Sequence, residues 1–466
     1  MTMYKMMASQ IIREIEAGQL SEGSRLPSLR QLAKQQAVSM STAVSCYQEL
    51  ESQGWIHARP QAGYYVSPRR HKYHTPEWAQ FVSQVSQVRQ TSVALPVHNG
   101  PLGISTTYLD ETVRHALEQS FRRASKRLGR RLSQYPHPQG DLSLRHALSA
   151  HFAKIGLHIK PDELVITSGC MPAIKSAVEA CTQVGDAIAI SSPCFSGILD
   201  LLGQMGRQIV EIPSLDEGID LEQLEQHLQQ GSVKAGIFCT SHMNPQGITM
   251  SARQKQKLAA LANHYQVPMI EDDVYLELSY GEHTPLPAKY YDQGGYILWC
   301  GSISKSLSPS YRLGWCLPGR FSKNYVDQHT ASFFGVSLPI QLAVADFIES
   351  GHYAKQLKHR RSRLLNLRQA YLSFLSARLP DKVKMSNPQG GMVLWLQVPD
   401  LNVTQFMALL EEYQIDIRLG QQFSTLSLYN DCLRINIGFE LTPEVEQELN
   451  LLVEAIRQSS GVGDDV

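Results

Sequence analysis

The chain lacks any stretch of about 18 apolar residues, the length a helix needs to cross a bilayer, and its first ten residues are too interrupted by polar side chains for a secretion signal. Both absences predict a cytoplasmic protein with no membrane partner. Cysteine is scarce in a second sense. The eight present (Cys46, Cys170, Cys181, Cys194, Cys239, Cys300, Cys316 and Cys432) form no C-x-x-C pair and no His/Cys spacing suited to zinc. A disulfide framework is therefore excluded as a fold principle, no metal site is expected, and the thiols are expected to stay reduced. Charge of one sign is also missing: 43 Lys and Arg balance 43 Asp and Glu, which excludes a global attraction to nucleic acid.

Locally the balance breaks. Residues 1–72 carry nine Lys or Arg against five Glu, a modest basic module at the front of a chain of 466 residues, itself too long for one small core. In that front, Met7, Ile11, Ile12 and Ile15 recur at helical spacing and Gly18 supplies a stop. Ser28 and Gln31 form a capping box opening a short helix with Leu29, Leu32 and Ala33 on one face. Ser39 caps a third helix that turns Ala43, Tyr47 and Leu50 inward and ends at Gly54. Two β-prone runs, 55–58 and 64–66, flank Arg59-Pro60-Gln61-Ala62-Gly63 as a hairpin. Three helices and a hairpin are the plan of a winged helix-turn-helix, whose third helix enters the major groove.

The wording of this front, Arg25-Leu26-Pro27-Ser28-x-Arg30-x-Leu32-Ala33, then Val38-Ser39-x-Ser41-Thr42, Leu50-x-x-x-Gly54 and Arg59-Pro60-x-x-Gly63, resembles the GntR family of bacterial regulators over about seventy residues. The resemblance implies contacts to double-stranded operator DNA from Arg30, Ser41, Thr42 and Arg59, with the arginines on phosphates. Met40 stands where that family usually has an arginine, so base readout is expected to differ.

Beyond Ser67 the composition becomes polar, with the basic run Arg69-Arg70-His71-Lys72 and spaced Phe81, Val82, Val85 and Val88; residues 69–96 are expected to be a linker with one short amphipathic helix. From there, apolar strand-like runs at 163–167, 187–191, 235–240, 267–270 and 297–300 alternate with helical stretches. Such alternation predicts an α/β domain with a mostly parallel sheet covered on both faces. Runs at 392–396 and 433–437, after a helix-rich segment, predict a smaller C-terminal α/β lobe. The expected organisation is 1–68 winged helix-turn-helix, 69–96 linker and 97–466 a second domain, with a large lobe of about 97–318 and a small one of about 319–466.

In α/β sheets ligands bind at the carboxyl ends of strands. The residues found there are chemically varied. Gly169, Cys170 and Met171 open a helix whose free amides suit a phosphate, and Phe195 is placed to stack on a ring. Asn244 follows the third run, Asp272 and Tyr275 the fourth, and Ser302, Ser304 and Lys305 the fifth, with Arg312 seven residues on. An amine that can form an imine, hydroxyls and an arginine for a phosphate, and an acid for a ring nitrogen together suit pyridoxal 5'-phosphate. Arg434 is suited to a substrate carboxylate, with Asn244 as a second candidate for substrate binding. Asp273 is the alternative to Asp272, but the three-residue step to Tyr275 favours Asp272.

Tyr135-x-x-Pro138-x-Gly140-x-x-x-Leu144-Arg145, Asn244-Pro245-x-Gly247, Asp272-x-x-Tyr275, Ser302-x-Ser304-Lys305 and Arg312-x-Gly314 together resemble a fold type I aminotransferase, with spacings of 28 from Asn244 to Asp272 and 33 from Asp272 to Lys305 that fit it. The resemblance implies a fold type I aminotransferase-like domain and a homodimer, in which Tyr135 reaches the neighbouring subunit's cofactor phosphate. Joined to a GntR-like front, the whole resembles MocR-type regulators. That implies a cofactor-dependent DNA-binding transcription regulator sensing a small amine or amino acid through an imine at Lys305. The alternative is a working aminotransferase with an accessory DNA-binding domain.

Overall fold

The computed structural model describes residues 3–17, 19–21, 23–52, 55–59, 63–67, 75–88, 100–281 and 284–460. The chain divides into two compact units, Met1–Tyr73 and His74–Val466. Gly18, Gly54, the hairpin tip 60–62, the basic run 69–72 and the side chain of Arg59 lie outside the described residues.

In the first unit a helix Met3–Glu16 buries Met7, Ala8 and Ile11, one stripe at i, i+4 spacing. The helix Leu29–Gln35 opens with the expected capping box: Ser28 Oγ accepts from the Gln31 amide (3.3 Å) and Gln31 Oε1 accepts from the Ser28 amide (2.9 Å). Ser39 Oγ accepts from the Thr42 amide (3.2 Å) at the start of the helix Met40–Ser52, which buries Ala43, Cys46, Tyr47 and Leu50. Tyr47 donates to the Pro27 carbonyl (2.8 Å), tying that helix to the turn before the second one. Strands β1 (Ile56–Arg59) and β2 (Gly63–Val66) pair antiparallel as a wing, with Ile56 and Val66 turned into the same core.

The second unit is built on a nine-stranded sheet of β3 (Val85–Gln87), β4 (Val165–Thr167), β5 (Ala187–Ser192), β6 (Gln208–Leu215), β7 (Gly218–Ile219), β8 (Ala235–Phe238), β9 (Met269–Asp272), β10 (Ile297–Ser302) and β11 (Gly314–Leu317). The order is β3-β6-β5-β8-β9-β10-β11-β4, with β7 on β6. From β6 to β10 the strands are parallel; β3, β7 and β11 run against their neighbours. Strand periodicity sorts the core. Ile188 and Ile190 of β5 pack with the helix Cys170–Cys181, whereas Ala187 and Ala189 pack with the helices Leu221–Gln229 and Ala252–Tyr265.

Residues 75–88, within the expected linker and its short helix, form no helix. Val85–Gln87 forms the edge strand β3, Ser83 bonds Gln223, and Trp78 Nε1 donates to Asp216 (2.9 Å). The apolar residues there are spaced for a helix, but the segment finds its backbone partners on the free edge of β6.

A second, antiparallel sheet of β12 (Lys384–Met385), β13 (Val393–Gln397), β14 (Arg418–Leu419) and β15 (Cys432–Asn436) has the order β12-β13-β15-β14 and carries the helices Val403–Glu412 and Pro443–Ser459. A 25-residue helix, His352–Ser376, precedes it.

Candidate functional site

The carboxyl ends of β9 and β10 bring two opposite charges within electrostatic reach of each other. Asp272 ends β9 and accepts from Cys170 Sγ (3.3 Å); burial raises its carboxyl to about 6. Lys305 sits in the turn after β10, and burial, then the nearby Arg434, push its amine down to about 8, with Asp272 opposing the shift. Its Nζ donates to the Ser105 carbonyl and lies 5.8 Å from the centre of the Tyr275 ring. The Tyr275 hydroxyl bonds Ser105 Oγ (2.8 Å), and burial raises it to about 12, so it stays a neutral hydrogen-bonding group. Asp273 is spent elsewhere, accepting from Trp299 Nε1 (3.0 Å).

On the small-lobe side, Arg434 of β15 is 3% exposed. Its Nη1 donates to Asn244 Oδ1 (3.1 Å) and its Nη2 to the Gly103 carbonyl, while Nε is buried without a partner.

The third corner is a helix start. Gly169 caps the helix Cys170–Cys181 at φ +109°, and a side chain there would meet Arg312 Nη2 at 2.6 Å. Arg312 itself holds φ +46°, uncommon for a residue with a side chain, and donates to the Ser168 carbonyl (3.3 Å). Gly314 is needed because a Cβ there would lie 2.6 Å from the Gly169 carbonyl carbon. Close approach of two backbones thus brings a guanidinium to a helix N-terminus, a pairing that suits a phosphate.

Phe195 precedes the helix Ser196–Gln204 and packs against the same core cluster as Met171. Ser302 is buried and its Oγ accepts from the Ser304 amide (3.3 Å). Tyr135 is not brought into this cluster: its ring is 87% exposed and faces Phe334, itself 77% exposed. Other motif residues serve the fold. Gly140 fits under Ile166, Gly247 against Pro388, and Arg145 donates to the Pro161 carbonyl (3.1 Å).

Sequence reasoning missed several members. Gly103 and Ser105 belong to a strap, 100–107, whose carbonyls occupy Arg434 and Lys305. Its only sequence signal is the glycine pair Gly100 and Gly103, both packed on Asp416. Arg360 donates to the carbonyls of Lys305 (2.9 Å) and Leu307 (3.2 Å), and Tyr353 links Ser306 (2.7 Å) to Glu277 (2.5 Å). Both come from the helix His352–Ser376, so the lysine's turn is clamped from behind.

In the first unit Arg30 is exposed at the start of the second helix. Ser41 and Thr42 stand in the first turn of the third, their hydroxyls each 2.8 Å from Ser39 Oγ. Among the described residues no group of His, Cys, Asp and Glu could hold a metal, and no helix is long and apolar enough to cross a membrane.

Comparison with known proteins matches residues 101–455 to the aminotransferase class I and II family and residues 3–66 to the bacterial regulatory proteins of the gntR family. The HTH-type transcriptional regulator YdcR of Escherichia coli is 32% identical, across 98% of this chain and 100% of its own length. Among solved structures, the kynurenine aminotransferase of Pyrococcus horikoshii, in complex with PMP, aligns with a TM-score of 0.70 at 23% identity, covering 77% of this chain and 92% of that one. LysN, the alpha-aminoadipate aminotransferase of Thermus thermophilus, complexed with N-(5'-phosphopyridoxyl)-L-leucine, aligns with a TM-score of 0.69 at 20% identity, covering 76% and 91%. The fold of the second unit is thus that of fold type I aminotransferases, and the chain belongs to the family of HTH-type transcriptional regulators that join a gntR-type DNA-binding region to a class I and II aminotransferase region.

Proposed function

We propose that this chain is a cytoplasmic, homodimeric transcription regulator that binds operator DNA through its first unit and pyridoxal 5'-phosphate through its second, and that a small amine or amino acid arriving at Lys305 is the signal. The observation that carries the reading is the part-buried amine of Lys305, bonded to the Ser105 carbonyl and in the electrostatic reach of Asp272 and Arg434. A lysine held near neutrality without a close ion pair suits imine chemistry better than packing. The residues fit the cofactor on geometry also: the absence of a Cβ at Gly169 lets the Arg312 guanidinium lie against the bare backbone at the helix start.

When bound, the cofactor supplies an aldehyde for an amine and a ring that withdraws electrons once its nitrogen is protonated. The chain's own residues do the rest. Asp272, whose burial makes an unpaired charge costly, holds a proton on the ring nitrogen. Tyr275 and Asn244 hydrogen-bond the ring oxygen, and Phe195 stacks on the ring. Arg312, Ser302, Ser304 and the amides of Gly169, Cys170 and Met171 hold the phosphate, with Tyr135 reaching it from the partner subunit; the open exposure of Tyr135 and Phe334 supports that reach. Arg434, with Asn244, takes the ligand carboxylate in place of the Gly103 carbonyl. Arg30, Ser41, Thr42 and Arg59 contact DNA.

A second reading, turnover as an aminotransferase, is favoured by the same depressed amine, because a group titrating near 8 can carry a proton to and from a substrate carbon. The test of the cofactor claim is the absorption spectrum: the purified protein should hold a visible band that Lys305→Ala abolishes, and an unchanged spectrum in that variant refutes it. Multiple-turnover assays over amino and keto acids separate the regulator from the enzyme.

A further inference from the structure

Arg418 of β14 and Arg434 of β15 are direct cross-strand partners in the antiparallel pair, so both guanidiniums leave the same face of the small sheet. Two arginines side by side would ordinarily suit a ligand with two acidic groups. The surroundings argue otherwise. Asp416, two residues before Arg418 and with a fully buried side chain, forms an ion pair with Arg418 Nη1; its other oxygen is buried without a hydrogen-bond partner. Arg418 also donates to the Ile417 carbonyl (3.0 Å), which turns it back on its own strand. Gly103 lies directly on the Asp416 carboxylate, with no room for a side chain, while its carbonyl takes a donor of Arg434. The charges facing this corner are Arg434, Arg418 and Asp416, with Glu448 behind Asp416, where its own carboxyl is raised first by burial and then by that neighbour. Arg418 is neutralised by Asp416, and Arg434 is left facing a neutral carbonyl and the neutral amide of Asn244.

We infer that Asp416 sets the ligand class of the pocket: by holding Arg418 in an internal ion pair it leaves one guanidinium, Arg434, for the ligand, and so selects amino acids with one carboxylate over those with two. The inference rests on the cofactor reading given above. A second ligand carboxylate reaching Arg418 would meet a guanidinium whose charge Asp416 already offsets, and would set a second anion beside that fully buried carboxylate, which is unfavourable. Asp416 acts through Arg418 and is a positioning residue for specificity.

The test titrates cofactor-loaded full-length protein with L-alanine, L-leucine, L-aspartate and L-glutamate, reading half-saturation of the change in the visible band. The wild type should favour the better monoacid by about tenfold or more. Asp416→Asn, isosteric and uncharged, should bind glutamate or aspartate about tenfold more tightly and lose that preference, while Asp416→Glu keeps the wild-type order. Adding Arg418→Met to Asp416→Asn should remove the gain, which a merely structural effect of Asp416 would not do. A loaded wild type that prefers a diacid or answers none of the four, a ratio unmoved by Asp416→Asn, or a gain that survives Arg418→Met overturns the inference. Should Asp416→Asn fail to fold, Arg418→Met alone decides: unchanged monoacid binding supports the inference, and a loss of about tenfold or more overturns it. A wild type with no visible band overturns the cofactor reading itself, and the inference with it.

Discussion

A lysine ammonium packed among other groups loses hydration, and here it gains a repelling arginine as well; that is why Lys305 is pushed down to about 8 rather than staying above 10. The sign is simple: a lowered value means the amine sheds its proton as pH passes 8, where an ordinary lysine keeps it. In cofactor-free protein, acylation of Lys305 should rise with a midpoint near pH 8, measured by labelled-peptide yield; a midpoint above 10 contradicts the pocket described. Asp272 shifts the other way. Raised to about 6, it binds a proton in the folded chain at pH values where the unfolded chain has released it, so its contribution to stability falls as pH rises from about 4 to 6 and is fully lost above. Asp272→Asn should therefore stabilise the cofactor-free protein by roughly 2 kcal/mol at pH 7 while weakening cofactor binding, seen in thermal melts with and without cofactor. A variant that melts lower in both states contradicts the assignment. The residues proposed for these roles stood out in the sequence because lysine, acid and arginine follow strands in an order that chemistry constrains. Asp416 was not, since a lone carboxylate two residues from an arginine carries no signal until strand register sets Arg418 beside Arg434.

At the scale of elements, legibility followed periodicity and capping. The capping box at Ser28 was read from two residues, and Ser28→Ala should cost the first unit about 1 kcal/mol in denaturant unfolding. Strands β5, β8, β9 and β10 were visible as apolar runs. Strand β6 was not, because Glu211 interrupts it, and only the fold shows that charge satisfied by Ser192 (2.5 Å), Ser424 (2.7 Å) and the Thr425 amide (2.7 Å). Edge strand β3 was mistaken for a helix, its three residues mostly exposed and paired only through backbone. The strap 100–107 is the element with most consequence. Its carbonyls accept from Arg434 and Lys305, so under the proposed function ligand entry requires it to shift. Gly103→Ala places a methyl group on Asp416 and should release the strap. Proteolysis within 100–108 should become faster without ligand, and carboxylate affinity should rise several-fold; slower cleavage and weaker binding would show that the strap supports the site instead of competing for it.

On the proposed reading, regulation is a difference in DNA affinity between ligand states of the second unit. Binding to the protein's own upstream DNA should be steeply salt-dependent, and Arg30→Ala should both weaken it and flatten the log–log salt slope by about 0.9 if one phosphate contact is lost. The most direct measurement is operator affinity of cofactor-loaded wild type and Lys305→Ala at fixed salt, each with and without an amino acid that shifts the wild-type visible band. The account predicts that the amino acid changes wild-type affinity several-fold and leaves Lys305→Ala unmoved. Equal affinities in all four cases, or the same change in both proteins, would contradict it.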